Sequence, residues 1–125
     1  MPEPIVYIDR SDIRENRFGD VEVAAEKLAR FIERNNPHIL SYRFFLDPDV
    51  GRMTVVAVHP DSDALEHHMR VGDPEFRKFA GLLELSSIEV YGEVSEAVRE
   101  QLDAKAAMLG RGAVTVSRAH AGFSR

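Results

Sequence analysis

The sequence predicts an α+β fold in which a four-stranded antiparallel sheet of ferredoxin-like βαββαβ order carries its helices on one face. β-Branched and aromatic segments alternate with segments of helical periodicity in that order along the chain. A five-residue turn, residues 47–51, joins strands predicted over residues 38–46 and 52–59, and such a hairpin is antiparallel. The chain has 125 residues, 44% of them hydrophobic, which suits one domain.

The first strand and the first helix are predicted from a change in periodicity. Residues 5–8 are β-branched and aromatic, whereas the charged residues 9–17 are typical of a connection. Asp20 is a candidate N-cap, because its carboxylate can accept hydrogen bonds from the free amides of a first turn. Apolar residues recur at helical spacing from Val21, and the Asn-Asn-Pro segment at residues 35–37 ends the helix.

After the hairpin the sequence predicts two short helices. The Asp-Ser-Asp segment at residues 61–63 predicts the cap of a helix over residues 64–70. Gly72 is expected to break that helix. Asp73 and Pro74 then predict a second start, with the proline in the first position, where its missing N–H costs nothing.

The C-terminal part of the chain extends beyond the βαββαβ unit. Residues 86–92 predict the fourth strand and complete a domain over residues 1–93. The extension, residues 94–125, contains a helix capped by Ser95 and a possible fifth strand at residues 113–117. We expect this extension to stabilise a dimer, with the fifth strand crossing to the partner subunit.

Both faces of the predicted sheet carry large apolar side chains, although the helices of one chain can cover only one face. In the second strand, Tyr42 and Phe44 lie on one face and Phe45 lies on the other. In the third strand, Val55 and Val56 likewise lie on opposite faces. An uncovered face would be an apolar patch of the kind that marks an interface. A closed two-fold dimer packed sheet against sheet solves this problem. The alternative is that the last helix or the tail covers the second face within one chain.

Composition removes several classes of function. Without cysteine there are no disulfides, thiol nucleophiles or thiolate metal sites. A net charge of −5 provides no basic field for nucleic acid. No apolar run approaches the ~18–20 residues of a membrane span, and no signal peptide is recognisable. We therefore expect a cytoplasmic protein that binds neither nucleic acid nor membrane.

Three histidines form the most chemically informative cluster. His59 ends the third strand, and His67 and His68 lie on the helix that follows. Adjacent helical residues point about 100° apart, and His68, three residues after Leu65, is nearer the buried side. Because histidine titrates near neutrality, His68 is a candidate acid/base; the alternative is a helix-end histidine bonded to a carbonyl or an aspartate. No histidine pair has the spacing of a helical metal site, and we expect no metal.

The stretch from Asp61 to Phe79 resembles the antibiotic biosynthesis monooxygenase (ABM) domain of the dimeric α+β barrel superfamily. It has an acid-capped helix, an Ala-Leu-x-x-His segment at residues 64–68, a short break, and then a proline and a phenylalanine. His68 falls at the histidine of the family pattern, and the resemblance covers roughly residues 4–93. It implies a homodimer whose two sheets form a barrel, with a cavity between sheet and helices in each subunit.

The resemblance also implies a function: monooxygenase-like oxidation of a small aromatic or quinol-type substrate without metal or prosthetic group, with His68 as the catalytic residue. The residues expected to contact such a ligand are Tyr42, Phe44, His59, Phe76 and Phe79. The resemblance does not extend to haem degradation, another activity in the family. Haem-degrading members use a tryptophan and an asparagine on the first strand, whereas this chain has no tryptophan and its first strand has no asparagine. The alternative is a non-catalytic ligand-binding or structural homodimer, favoured if the phenylalanines pack into one another and fill the cavity.

Overall fold

The chain folds into a five-stranded sheet with three helices on one face. The computed structural model describes residues 3–125. The strands are β1 (Ile5–Ile13), β2 (Ser41–Asp47), β3 (Arg52–His59), β4 (Leu83–Tyr91) and β5 (Gly110–Ser117). The helices are α1 (Phe18–Asn35), α2 (Ser62–Phe76), which continues into a 3-10 turn (Arg77–Phe79), and α3 (Glu96–Leu109). The sheet order is β2-β3-β1-β4-β5, antiparallel except for the parallel pair β4 and β5. The predicted α+β, ferredoxin-like fold is therefore confirmed, with a fifth strand added beside β4.

The central strand β1 is longer than its charge pattern suggests. Residues 9–13 were predicted to lie in a connection, and this prediction is wrong because both neighbouring strands continue their hydrogen-bonded ladders there. Ser11 pairs with Met53 on one side and with Leu85 on the other. The ladder of a central strand outweighs the low strand propensity of aspartate and serine. Asp9 and Ser11 consequently lie in the core, on the same face as Tyr7.

Helix α1 begins before its predicted cap. The N-cap is Arg17, and Asp20 lies in the first turn, where its carboxylate forms an ion pair with Arg17 at 3.0 Å. An acidic side chain in this position still interacts favourably with the helix dipole. The helix ends at Asn35, within the predicted Asn-Asn-Pro segment, and its C-cap Asn36 donates its backbone N–H to the carbonyl of Ile32.

Helix α2 is one continuous helix, although two were predicted. Asp61 caps it as expected, its Oδ1 accepting from the backbone N–H of Ala64 at 2.8 Å. Gly72 does not break the helix. Instead it makes room for Phe76, because a Cβ atom built on Gly72 would lie 2.3 Å from that ring. Asp73 caps nothing and bonds the Arg77 guanidinium at 2.9 Å, and Pro74 is accommodated in the last turn.

Helix α3 passes directly into β5. Ser95 caps the helix through a 3.2 Å bond from the backbone N–H of Val98 to its hydroxyl, as predicted. Gly110 is both the C-cap of α3 and the first residue of β5, and it lies against β4 so closely that a Cβ would be 2.4 Å from the carbonyl oxygen of Leu85. The fifth strand is thus confirmed. It pairs with β4 of its own chain, with Val114 opposite Ile88.

The two faces of the sheet have different surroundings. The inner face and the apolar sides of all three helices form one core, to which α3 contributes Val98, Leu102, Ala106 and Leu109. Phe45 on the outer face is 53% exposed, and the valines and isoleucines around it are only half-buried. The alternative that the last helix or the tail covers this outer face is therefore wrong for residues 3–125. None of the helices in that range is long and apolar enough to cross a membrane.

Candidate functional site

A partly open cavity lies between the inner face of the sheet and the helices. Its apolar walls include four of the predicted ligand-binding residues, Tyr42, Phe44, Phe76 and Phe79. Its free space is about 20 Å³, enough for about one water molecule. The remaining predicted residue, His59, is fully buried nearby, with its ring 4.9 Å from that of His68.

Two ionisable side chains that the sequence did not single out, Asp9 and Lys105, line the same cavity. Asp9 comes from the middle of β1 and is 3% exposed, and Lys105 comes from α3 and is 8% exposed. Tyr7 joins them into a cluster: its hydroxyl donates to Asp9 Oδ2 at 2.5 Å. Lys105 Nζ donates to the Tyr7 hydroxyl oxygen at 2.8 Å and to Asp9 Oδ2 at 3.3 Å. We call Tyr7, Asp9 and Lys105 the acid–base cluster.

The buried charges of the acid–base cluster are stabilised by contacts with each other and with an aromatic ring. A buried carboxylate and a buried ammonium each lose several kcal/mol of hydration, and their mutual contact offsets much of this loss. The Lys105 ammonium also lies over the Phe76 ring, 4.1 Å from its centroid, where the negative face of the ring attracts it. Burial and the neighbouring Asp9 carboxylate raise the pKa of Tyr7 well above its usual value. Tyr7 is therefore a neutral phenol that donates a hydrogen bond to the Asp9 carboxylate.

A second polar group lies in the same interior and is formed by His59, His68 and Asn36. The Asn36 side-chain amide donates to His68 Nδ1 at 2.8 Å, so a neutral His68 ring carries its hydrogen on Nε2. His68 is thus buried as predicted, but its partner is an asparagine and neither a carbonyl nor an aspartate. Both ring nitrogens of His59 are buried without a hydrogen-bond partner among residues 3–125.

Both buried histidines are neutral at neutral pH. Burial, reinforced by the positive charge of Lys105, lowers the pKa of His59 to about 4. Burial also lowers the pKa of His68 well below its usual value, with smaller effects of His59, Lys105 and His67 in the same direction. Each ring can therefore accept or donate a hydrogen bond, but neither is protonated to imidazolium at pH 7, so neither can act as a cationic general acid.

Tyr42 lies between the cavity and a larger groove on the protein surface. Its ring is 5.3 Å from that of His68 and 5.1 Å from that of Phe44. The groove has a volume of about 350 Å³ and lies between the end of α1 and the start of β2. Tyr42 lines both spaces, and Asn36, the partner of His68, lines the groove. Tyr42 thus separates the groove from the cavity.

The acid–base cluster was missed because its signals are indirect. Asp9 continues the alternation of Ile5 and Tyr7, which places it on the inner face, but it opens a charged segment that is typical of a connection. Lys105 follows Leu102 by three residues and precedes Leu109 by four, a spacing that places it on the apolar side of α3. The signal that could have identified both residues is a charged side chain at a position where strand alternation or helical spacing predicts burial.

Comparison with known proteins identifies similar folds. No protein-family model and no curated protein matches the chain. Among solved structures, MupZ from Pseudomonas fluorescens has a TM-score of 0.76 at 18% sequence identity, over 98% of this chain and 95% of that one.

Two further solved structures carry names that bear on chemistry. SnoaB, a cofactor-independent oxygenase from Streptomyces nogalater, has a TM-score of 0.62 at 14% identity, over 74% of this chain and 95% of that one. A candidate antibiotic biosynthesis monooxygenase from Bacteroides thetaiotaomicron has a TM-score of 0.54 at 19% identity, over 66% and 85%. The chain therefore has the α+β fold of the antibiotic biosynthesis monooxygenase-like proteins, as the resemblance between Asp61 and Phe79 predicts.

Proposed function

We propose that this protein is a cofactor-independent oxygenase that acts on a small aromatic or quinol-type substrate in the cavity between sheet and helices. The observation that carries the proposal is the acid–base cluster: the Asp9 carboxylate and the Lys105 ammonium line a largely apolar, partly open cavity, and the Tyr7 phenol behind them links the two. Ionisable groups are expensive to bury, and cavities that contain them are the usual sites of chemistry.

The chemistry follows from the charges of the cluster. The Asp9 carboxylate accepts the proton of a phenolic or activated C–H group, and the Lys105 ammonium stabilises the anion that forms. Such an electron-rich anion reacts with O2 directly. When the oxidised group is a CH2, O2 converts it to C=O and the second oxygen atom leaves as water, so no external reductant is needed.

His68 serves as a positioning residue in this proposal. His68 does not line the cavity, but its ring packs against two rings that do, 5.3 Å from that of Tyr42 and 5.5 Å from that of Phe76, while the Asn36 amide donates to its Nδ1. The free space of about 20 Å³ means that substrate displaces side chains on entry. Tyr42 and Phe44 are suited to this movement, because they are half-buried and come from β2 at the edge of the sheet.

Oxygen uptake with a panel of hydroquinones, naphthols and anthrones tests this function. We expect Asp9→Asn, which keeps the shape of the side chain, to lower the rate by about 10²-fold or more. Asp12→Asn is the matched control, because Asp12 lies on the same strand and is exposed. Equal rates for Asp9→Asn and the wild type would remove Asp9 as the base. Uptake no faster than the uncatalysed reaction, for every compound, would favour the non-catalytic homodimer.

We further propose that the functional unit is a homodimer formed through the outer face of the sheet. Val6, Ile8, Val56 and Val58 are half-buried there, and Phe45 is largely exposed, so pairing would remove a contiguous apolar surface from water. The extension over residues 94–125 contributes by adding β5 to the sheet and thereby widening this face. Sedimentation of a Val56→Lys variant tests the pairing.

A further inference from the structure

We propose that Lys105 is also a nucleophile, whose amine forms an imine with a small aromatic aldehyde or ketone in the cavity. This activity goes beyond the proposed oxidation, in which Lys105 acts only through its charge. The chain has three lysines: Lys27 and Lys78 are exposed, whereas Lys105 is 8% exposed and lines the cavity. A lysine amine is activated by an adjacent general base that takes its proton, and Lys105 Nζ lies 2.8 Å from the Tyr7 hydroxyl and 3.3 Å from the Asp9 carboxylate.

The acid–base cluster supplies the proton transfers that imine formation requires. Lys105 Nζ donates to Tyr7, and Tyr7 donates to Asp9, so one proton can pass from Lys105 to Tyr7 as another passes from Tyr7 to Asp9. The neutral amine then forms a C–N bond to the carbonyl carbon, and a proton moves from the nitrogen to the carbonyl oxygen to give a carbinolamine. The proton held by Asp9 passes to the carbinolamine hydroxyl group, the C–O bond breaks and water leaves. The nitrogen lone pair forms the C=N bond, so the product is a protonated imine and Asp9 is again a carboxylate. No oxidant or reductant is consumed.

The walls of the cavity indicate which carbonyl compounds fit. The Phe76 ring lies 4.1 Å from Lys105 Nζ, and Tyr42, Phe44 and Phe79 complete an aromatic surround. Flat aromatic compounds pack favourably against such rings. Because the free space holds only about one water molecule, such a compound displaces side chains on entry.

Reductive trapping with benzaldehyde and sodium cyanoborohydride, without oxygen, tests the proposal. We expect peptide mapping of the wild-type protein to place the benzyl group on Lys105 at a rate at least about tenfold above that of Lys27 or Lys78, because the cluster takes the proton from the Lys105 amine. Lys105→Arg keeps the positive charge and should abolish this fast reaction. Lys78→Arg, at an exposed position, is the control and should retain it. Asp9→Asn should slow it.

Labelling confined to Lys27 and Lys78, or labelling of Lys105 no faster than in urea-unfolded protein, would overturn the proposal. This result needs only the wild-type protein and does not depend on the folding of any variant. It is also independent of the proposed oxidation, because trapping uses neither O2 nor a quinol.

Discussion

His59 illustrates how the interior of this protein changes the chemistry of a single side chain. Its ring is fully buried, and burial together with Lys105 lowers its pKa from 6.5 to about 4. Between these two values the unfolded chain binds a proton on His59 and the folded chain does not. The free energy of unfolding therefore decreases as the pH falls through this window and is fully retained above about pH 6.5.

A His59→Gln variant should have a flatter dependence of stability on pH. Between pH 7 and pH 4, we expect His59 to account for about 3 kcal/mol of the decrease in the wild-type free energy of unfolding. Each unit of pKa shift corresponds to about 1.4 kcal/mol. Urea unfolding at both pH values measures the difference between wild type and variant. His120→Gln, in the exposed tail, is the control and should follow the wild type. Identical slopes for His59→Gln and the wild type would contradict the assignment.

For the residues of the acid–base cluster, burial could be predicted from the sequence, whereas their contacts could not. That Asp9 and Lys105 face the core follows from strand alternation and helical spacing. Their contact with each other does not, because they are separated by 96 positions and meet only when α3 packs on the inner face of the sheet. His68 was predictable as a buried helical residue, whereas its partner Asn36 was assigned only to the end of α1.

At the scale of elements, α2 shows tertiary packing outweighing local signals. Gly72 and Pro74 are both typical helix breakers, and they led to the prediction of two helices. The helix continues because the Phe76 ring occupies the space above Gly72 and packs into the core. The boundaries of β1 and β4 were missed for the same reason: each is set by its neighbours in the sheet.

Two glycine-to-alanine substitutions in helices should have opposite effects. Alanine favours a helix over glycine by up to ~1 kcal/mol, and a Cβ added to Gly19 in α1 would meet no atom of the described residues within 4 Å, so Gly19→Ala should stabilise the protein. Gly72→Ala gains the same propensity but must displace the buried Phe76 ring, at a cost of about 1–3 kcal/mol, and should destabilise it. Thermal unfolding of both variants against the wild type measures the two signs. Stabilisation by Gly72→Ala would show that Phe76 relaxes without cost.

At the scale of the whole molecule, the sheet order and its one-sided helices were predictable from the order of elements. The path of the last strand was not. Residues 113–117 have the pattern of a strand whichever sheet edge they join, and only the direct passage from α3 at Gly110 brings them beside β4. The apolar outer face was visible in the alternation of β2 and β3, because valines and aromatic residues occupy both sides.

The proposed dimer predicts a specific effect on mass. In sedimentation at low concentration we expect wild type at twice the mass of one chain and Val56→Lys at the mass of one chain, because a lysine at the centre of the outer face would be buried without a partner. Val23→Lys is the matched control, since Val23 is 51% exposed on α1, and it should sediment like the wild type. A monomeric wild type, or a dimeric Val56→Lys, would argue against this interface.

The direct junction at Gly110 ties the position of Lys105 to the rim of the sheet. With no loop between α3 and β5, the helix cannot slide along its axis without pulling β5 out of register with β4. The ladder of backbone hydrogen bonds between these strands acts as an anchor for an amine one helical turn away from it. A displacement of β5, the edge strand of the sheet, would therefore move α3 and shift Lys105 in the cavity wall.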